Sequence, residues 1–241
     1  MRIKKIMIRM MLLLAGGITA ATAGNRPDFS GVWEMADLEY TVIPEENHPR
    51  FTEQTRRDIE NYQKNYDPKK DDPVNVCFVK GMPWTMLFRA RGYPMEVYQT
   101  DKRVVMFFEP YDGYRNIRLD RKVFPDSVPR SANGYSIGHW EGDTLVIETR
   151  NLTGRNPISP THRSEQARII ERWKFQQDAK YGQVLDVDVT MDDPEVFIEP
   201  AKGHGVFKRA PAGVEVGGYN CSEALWSDYI DKRRAEVESK R

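Results

Sequence analysis

Beyond residue 94, apolar and polar residues alternate along most of the chain, which is the pattern of strands with one buried and one solvent-exposed face. The segment after residue 183 shows it clearly, because Leu185 begins a series of apolar residues at every second position. Polar turns such as Glu141-Gly142-Asp143 separate successive segments. The strands predicted in this way are Asp28–Glu34, Met95–Gln99, Arg103–Phe108, Tyr114–Leu119, Tyr135–Trp140, Thr144–Thr149, Glu165–Gln176 and Gln183–Met191.

Strands at this spacing with tight turns predict an antiparallel meander. So many consecutive strands would leave exposed edges in a flat open sheet, so we expect closure into a β-barrel. The predicted fold is therefore mainly β, with a single antiparallel barrel domain over residues 24–241.

Two segments have helical rather than strand periodicity. Residues 52–66 contain no Gly or Pro and place Ile59, Tyr62 and Tyr66 on one side, with Thr52 as a suitable N-cap. The tail at about 222–238 also places apolar residues, from Leu225 to Ile230, on one side. We expect this C-terminal helix to lie across the outside of the barrel or to plug one end.

The first 23 residues have the features of a cleaved secretory signal peptide. A basic start is followed by a short apolar run, Met10–Leu14, and by small residues that end in Ala21-Thr22-Ala23. The apolar run is too short to span a bilayer, so we expect export to the periplasm or secretion, with no stable membrane insertion after cleavage.

The charge of the chain argues against a nucleic-acid partner. Cleavage after residue 23 removes four basic residues and no acidic one, which leaves 32 Lys and Arg against 36 Asp and Glu and a net charge of about −4. A nucleic-acid-binding protein would instead show a basic excess gathered on one face.

Cys77 and Cys221 are the two cysteines of the chain. In an oxidising compartment such a pair is more often a disulfide than two free thiols, so we expect a bond between them. It would tie the early chain to its end, and for so long a loop the chain-entropy model gives a stabilisation of about 4–5 kcal/mol. Two buried reduced thiols are the alternative.

Two stretches resemble known families. Gly31-Val32-Trp33, at the start of the first predicted strand, is similar to the Gly-x-Trp that opens lipocalins and related calycin barrels. In those barrels the tryptophan closes one end beneath the ligand cavity, which implies the same position for Trp33. The resemblance therefore implies a calycin-like or lipocalin-like barrel.

A longer resemblance, over nearly all of the mature chain, is to a group of exported and mostly uncharacterised bacterial proteins. Their shared stretches correspond here to Asp28–Trp33, Cys77 with Gly81-Met82-Pro83, Gln99-Thr100, Gly134–Ile147, His162–Glu165, Glu171-Arg172-Trp173, Asp192-Asp193-Pro194 and Tyr219–Glu223. Two departures stand out: Tyr135 occupies a position that is usually His in the group, and Arg163 interrupts a His-Ser-Glu step. If that histidine carries protons, Tyr135 must take over its role or the chemistry has changed.

The densest motif, residues 134–149, divides into two parts. Glu141-Gly142-Asp143 has the residues of a tight turn, so residues 140–146 are interpreted as a structural hairpin. On the strand before the turn, Tyr135 and His139 share one face and Ser136 lies on the other. Whichever face points inward therefore carries a polar group into the barrel.

The residue spacing favours neither a metal nor a cofactor. His139 and His162 lie near dense motif sequence, but there is no His-x-His, His-x-x-x-His or Cys-x-x-Cys. A phosphate-binding glycine loop and a Gly-x-Ser-x-Gly elbow are also lacking. The acidic run Asp186–Glu195 alternates with valines and lacks the glycine of a Ca²⁺ loop, which favours a surface face. Any catalysis would therefore use His, Tyr, Glu and Arg as acids, bases and charge stabilisers.

Glu171 is the most informative single residue, because it shares a strand face with apolar residues such as Trp173. A carboxylate at such a position is costly unless it is paired. One interpretation is an acid or base inside a cavity. The favoured interpretation is a buried salt bridge to Arg89, Arg115 or Arg118.

The 11 Tyr, 10 Phe and 5 Trp residues suit an apolar or aromatic ligand. Tyr98, Phe108 and Trp173 lie on predicted strands, where together with Trp33 they are candidates for the lining of a ligand cavity in the barrel. Ordinary core packing would use the same residues.

Two functions follow as hypotheses. The first is a metal-free lyase or isomerase that transfers a proton on a hydrophobic or aromatic substrate. His162 or His139 would be its base. Glu171 or Tyr135 would be the acid, with Arg115 as the anion stabiliser.

The second hypothesis is a non-catalytic carrier of a lipid or aromatic molecule on the same barrel, and a third is a cell-envelope interaction module that uses the C-terminal helix. Convergence of His162 and Glu171 inside one cavity would favour the enzyme. A wholly apolar cavity would favour the carrier.

Overall fold

The computed structural model describes residues 26–36, 49–67, 71, 80–87, 93–110, 113–154, 163–219 and 223–239. Within these residues the elements are β1 (Gly31–Met35), α1 (Glu53–Asn65), α2 (Trp84–Leu87), β2 (Met95–Gln99), β3 (Arg103–Phe108), β4 (Gly113–Arg118), β5 (Tyr135–Glu141), β6 (Thr144–Arg150), β7 (Arg168–Asp178), β8 (Gly182–Asp192), β9 (Ala201–Arg209) and α3 (Glu223–Glu238). The predicted signal peptide, His162, Cys77 and Cys221 lie outside the described residues, so the cleavage and the disulfide stay predictions.

The strands in the described part of the chain form one closed barrel in chain order, and β1 completes it by pairing with β9. The prediction of a mainly β barrel is confirmed. The purely antiparallel arrangement was wrong at one place, because β4 and β5 pair in parallel, Ile117 with Ser136 and Arg118 with Ile137. The physical reason is the connection 119–134, which is long enough to carry the chain back to the end of the barrel at which β4 began.

The last strand, β9, is the element that the alternation pattern missed. It contains Gly203 and Gly205, and a glycine leaves a gap in an apolar–polar pattern. Both glycines make room for α2. A Cβ at Gly203 would lie 2.5 Å from Cδ1 of Leu87, and a Cβ at Gly205 would lie 3.0 Å from the carbonyl oxygen of Met86. Close packing of α2 on the barrel wall therefore accounts for the weak sequence signal.

The two predicted helices are present as α1 and α3. Thr52 is the N-cap of α1, since its side-chain oxygen accepts a hydrogen bond from the backbone N–H of Thr55 at 3.3 Å. α3 is fastened to the segment after α1: Nη2 of Arg233 lies 2.9 Å from Oδ2 of the buried Asp71, and the hydroxyl of Tyr229 donates to the same carboxylate. Among the described residues, no helix has the length and apolar composition that a membrane crossing requires.

Large side chains fill the barrel interior. Trp33 and Trp173 are fully buried, so they are core residues rather than the exposed lining of a cavity. Phe29 contacts Trp140, Trp173 and Phe175, with ring centroids 4.9 to 6.0 Å apart. The indole N–H of Trp33 donates to the carbonyl oxygen of Phe29 at 2.9 Å, which satisfies the one polar atom of that side chain.

Candidate functional site

Four polar residues meet inside the barrel wall, and we call them the interior polar cluster: Arg115 on β4, Ser136 on β5, Thr149 on β6 and Glu171 on β7. They come together because β4 to β7 are neighbours in the barrel and each of these residues falls on an inward position. All four are buried.

The cluster is a saturated hydrogen-bond network. Arg115 donates through Nη1 to Oε1 of Glu171 at 3.0 Å and through Nη2 to Oε2 of the same carboxylate. It also donates to the Thr149 hydroxyl at 2.9 Å and to the Ser136 hydroxyl at 3.2 Å, and these hydroxyls are 2.8 Å apart. The indole N–H of Trp173 donates to Oε1 of Glu171 at 3.2 Å.

The bidentate pairing makes Glu171 one half of a buried ion pair. Both carboxylate oxygens accept hydrogen bonds, and the charge of Arg115 balances that of Glu171 in the interior. The favoured interpretation of Glu171, a buried salt bridge to Arg115, agrees with this geometry.

Two other predicted catalytic residues lie on the opposite side of the wall. On β5, Tyr135 and His139 point outward while Ser136 points inward, as strict alternation requires. The ring of Tyr135 packs against Phe124, and Nε2 of the exposed His139 lies 3.2 Å from Oε1 of Glu141. Neither can reach Glu171, so these residues do not form one acid–base site.

Arg163, the residue that interrupts the His-Ser-Glu step, is a buried guanidinium whose acceptors are neutral. It donates to the carbonyl oxygens of Thr153 at 2.9 Å, Lys80 at 2.5 Å and Met82 at 3.0 Å. Burial lowers the pKa of Arg163 to about 10, so the side chain still carries its charge at neutral pH. The arginine joins two segments that are distant in sequence, and this role was not foreseen.

Ser164, the next residue, ties the same region to the loop after β8. Its backbone N–H donates to Oδ2 of Asp193 at 2.6 Å and its hydroxyl to Oδ1 at 2.8 Å. Two of the stretches on which the predicted resemblance rests, His162–Glu165 and Asp192-Asp193-Pro194, thus meet through this contact. The described part of both motifs holds the fold together.

The outer wall over β2, β3 and β4 carries a row of exposed aromatic side chains. Tyr98, Phe107 and Tyr114 are 50, 41 and 50% exposed. The ring of Phe107 lies between the two tyrosine rings. Its centroid is 6.1 Å from that of Tyr98 and 5.7 Å from that of Tyr114. We call these three residues the aromatic row. Tyr98, predicted to line the interior, therefore points to solvent.

A cleft of about 420 Å³ opens beside this row, lined by Glu96, Tyr98, Phe107, Phe108, Gly113, Val216, Gly217 and Gly218. We call it the aromatic cleft. The segment after β9 forms one wall, where the backbone N–H of Gly217 donates to Oε2 of Glu109 at 3.0 Å. The Tyr98 hydroxyl donates to Oε1 of Glu96 at 2.5 Å, and this hydrogen bond raises the pKa of Tyr98.

A third group lies on the outer face of β8 and β9, where Asp186, Asp188 and His204 form a cluster. Nδ1 of His204 is 2.8 Å from Oδ1 of Asp188, and Nε2 is 3.6 Å from Oδ2 of Asp186. The sequence could not indicate this group, because His204 is on the strand that the alternation missed.

No model of a known protein family matches the chain, and no curated protein does either. The described residues define the structural class as a closed, mixed β-barrel with a packed interior and an open cleft on its outer wall.

Proposed function

We propose that the protein binds a small aromatic ligand, and prefers a cationic one to an anionic one, in the aromatic cleft of its outer wall. The observation that carries this proposal is the aromatic row. Its three neighbouring rings are about half exposed, and contiguous exposed apolar patches often mark interaction sites. Single exposed apolar residues would need no such explanation.

The size of the cleft supports a small molecule as the occupant. Its volume of about 420 Å³ falls in the usual range of about 300–1,000 Å³ for small-molecule sites. Tyr98 and Phe107 offer ring faces and edges to a planar ligand, and offset or edge-to-face contacts between rings contribute about 0.5–1.5 kcal/mol each beyond burial.

The negative charge around the cleft favours a cationic ligand. Glu96 lines the cleft and Glu109 holds its wall, and in the described part of the chain neither carboxylate has an ion-pair partner. A cation over a Tyr or Phe ring gains about 0.5–1 kcal/mol at an exposed site, and nearby carboxylates add to this attraction. An anionic ligand would meet the same carboxylates as repulsion.

This proposal moves the predicted carrier function from the interior to the outer wall. Phe108 and Tyr98 line the cleft, whereas Trp33 and Trp173 belong to the core. The metal-free lyase or isomerase has less support, because Glu171 is committed to Arg115 and His139 lies outside the barrel. Its remaining candidate base, His162, lies outside the described residues, so that function stays a prediction.

Export, the disulfide and the resemblance to exported bacterial proteins are part of the same proposal. They rest on the sequence: the basic and apolar start of residues 1–23, the pair Cys77 and Cys221, and the shared motifs. An exported aromatic-binding protein would meet its ligand outside the cytoplasm.

The test is a calorimetric titration of the full chain with phenyltrimethylammonium, its neutral isostere tert-butylbenzene, and benzoate. We expect a Kd of about 1 mM or tighter for the cation, which is reasonable for a ligand of this size. The neutral isostere should bind about threefold more weakly, and benzoate more weakly still.

The matched variants are Phe107→Ser in the cleft and Ile198→Ser as the control, since Ile198 is an exposed apolar residue outside the cleft lining. Phe107→Ser should weaken binding of the cation about tenfold, because it removes one ring contact and breaks the row. Ile198→Ser should leave binding unchanged. Equal affinity of both variants, or no binding of any of the three compounds, would overturn the proposal.

A further inference from the structure

The geometry points to a divalent transition-metal site of the Zn²⁺ type on the outer face of β8 and β9, with Asp186, Asp188 and His204 as its ligands. The site is independent of the aromatic cleft, whose lining shares no residue with it.

The barrel places the three ligands on adjacent strands and on one face. Asp186 and Asp188 are two residues apart on β8, so both point outward, and Asp188 is directly opposite His204 in the β8–β9 register. One ligand atom from each residue lies within 4.8 Å of the others. Around a tetrahedral Zn²⁺ the ligand atoms lie about 3.4 Å apart, so the three side chains would rotate to bring one ligand atom each to that spacing.

The chemistry of the ligand set selects the metal. An imidazole nitrogen with carboxylate oxygens suits Zn²⁺ and its transition-metal neighbours, whereas Ca²⁺ and Mg²⁺ prefer all-oxygen sites. Three protein ligands on an outer wall leave at least one coordination position for water. Zinc sites with three protein ligands and a water are well known.

Asp186 supplies a second observation in favour of a cation. Its side chain is only 16% exposed, and no described residue donates a hydrogen bond to its carboxylate. Its nearest cationic groups are Nε2 of His204 at 3.6 Å and Nζ of Lys174 at 4.0 Å. The carboxylate is thus held in a poorly solvated position that a bound cation would relieve.

The neighbouring basic residues leave room for the ion. Arg172 is opposite Asp188 in the register, but its guanidinium is 2.7 Å from Oε2 of Glu141. Nζ of Lys174 is 4.0 Å from Oδ1 of Asp186, at the limit of an ion pair, and its side chain is partly exposed. A flexible lysine at that distance can turn to solvent when a metal binds.

The backbone beneath the site is held in place. Gly203 and Gly205, on either side of His204, face inward, where α2 packs closely against them. β9 is also paired on both sides, with β8 and with β1. A rigid backbone of this kind favours metal binding, because the site loses little conformational entropy when the ion binds.

The experiment is a calorimetric titration of the full chain with Zn²⁺, repeated with Mg²⁺ and with three variants. His204→Ala and Asp186→Asn each remove one ligand. His139→Ala is the matched control, because His139 is also an exposed histidine of the outer wall beside a carboxylate, Glu141, but belongs to no cluster of three ligands among the described residues.

We expect one Zn²⁺-binding event that His204→Ala and Asp186→Asn each weaken at least about tenfold. Loss of a residue that only hydrogen-bonds to a metal ligand already costs about 10–100-fold in metal affinity. His139→Ala should bind as the parent does, and Mg²⁺ should give no signal at this site. Circular dichroism confirms that each variant remains folded. Zn²⁺ binding that is the same in parent, His204→Ala and Asp186→Asn would overturn the proposal, and so would a loss of equal size in His139→Ala.

Discussion

Inside the barrel wall, Arg115 and Glu171 share two hydrogen bonds and are enclosed by hydroxyl and indole donors. On the outer wall, Glu96 and the aromatic row are left in contact with water, without a counter-charge or a covering segment in the described residues. Carboxylate and aromatic side chains are thus buried and paired inside the wall but partly exposed to water on its outer side. A charged residue that is fully partnered stabilises the fold, whereas exposed aromatic rings and a carboxylate without a counter-charge are available to a ligand.

The comparison also shows that a buried charge on a strand does not by itself locate a functional site. Inward position and charge made Glu171 the most informative residue of the sequence, with a buried salt bridge favoured over a catalytic role. In the structure, Arg115 balances the charge of Glu171. A buried ion pair depends on both of its partners, and it perturbs a carboxylate just as an active site does. Among the described residues, the cleft that could hold a ligand lies on the outer wall.

The largest expected effect comes from breaking the interior pair. Glu171→Ala leaves the guanidinium of Arg115 buried without a counter-charge, so the free energy of unfolding should fall by about 3–5 kcal/mol. Urea denaturation followed by tryptophan fluorescence measures it. The affinity of the folded variant for the aromatic cation should not change.

A double replacement, Arg115→Met with Glu171→Leu, is the control for this prediction. It removes both charges together and fills the space with apolar side chains, which is often neutral or stabilising. Recovery of most of the lost stability is therefore expected. A loss below about 1 kcal/mol in Glu171→Ala would contradict the structural role of the pair.

Asp71 provides an intermediate example, a buried carboxylate outside the barrel that holds α3. Burial acts to raise the pKa of Asp71, but hydrogen bonds from Arg233 and Tyr229 outweigh it and leave the pKa below its usual value. Because the folded-state pKa is lowered, this contact adds stability above the unfolded-state pKa of about 3.9. The contribution disappears as the pH falls through the lowered pKa.

The corresponding measurement is urea unfolding of the parent and of Asp71→Asn between pH about 7 and pH about 2. We expect the variant to be less stable by about 1–2 kcal/mol at neutral pH, in line with hydrogen bonds to charged groups, and the two proteins to converge in acid. A constant difference at every pH would show that the carboxylate charge of Asp71 has no role.

The smallest expected effect on stability comes from the aromatic row. Phe107→Ser removes a ring that is already 41% exposed, so the free energy of unfolding should fall by less than about 1 kcal/mol. The same urea titration measures it beside the loss of ligand affinity described above. A destabilisation above about 2 kcal/mol would place Phe107 with the core and weaken the contrast between the two faces.

Much of the fold was predictable from local pattern. The hairpin around Glu141-Gly142-Asp143 and the pairing of β7 with β8 follow from alternation and turn residues, and α1 follows from Thr52 and an uninterrupted helical segment. Each of these signals lies within a few neighbouring residues. The parallel contact of β4 and β5 was missed because a turn-based pattern cannot show where a long connection leads.

The candidate sites were less predictable, and the reason is distance along the chain. Glu171 was recognised as an inward carboxylate, and Arg115 was among the three arginines proposed to pair with it. The cleft depends on the segment Val216–Gly218 meeting β2 and β3, and the metal cluster depends on His204 meeting Asp186. No local spacing signals contacts of that kind.

The sequence by itself determined that the chain forms amphipathic strands and two helices, and that one face of most strands is apolar, because these properties depend on residues two to four positions apart. Only the tertiary structure decided which face of β5 looks inward, which arginine balances Glu171, and that aromatic rings remain on the outer wall. Those outcomes depend on the closure of the barrel, which brings strands from distant parts of the chain to within hydrogen-bonding distance.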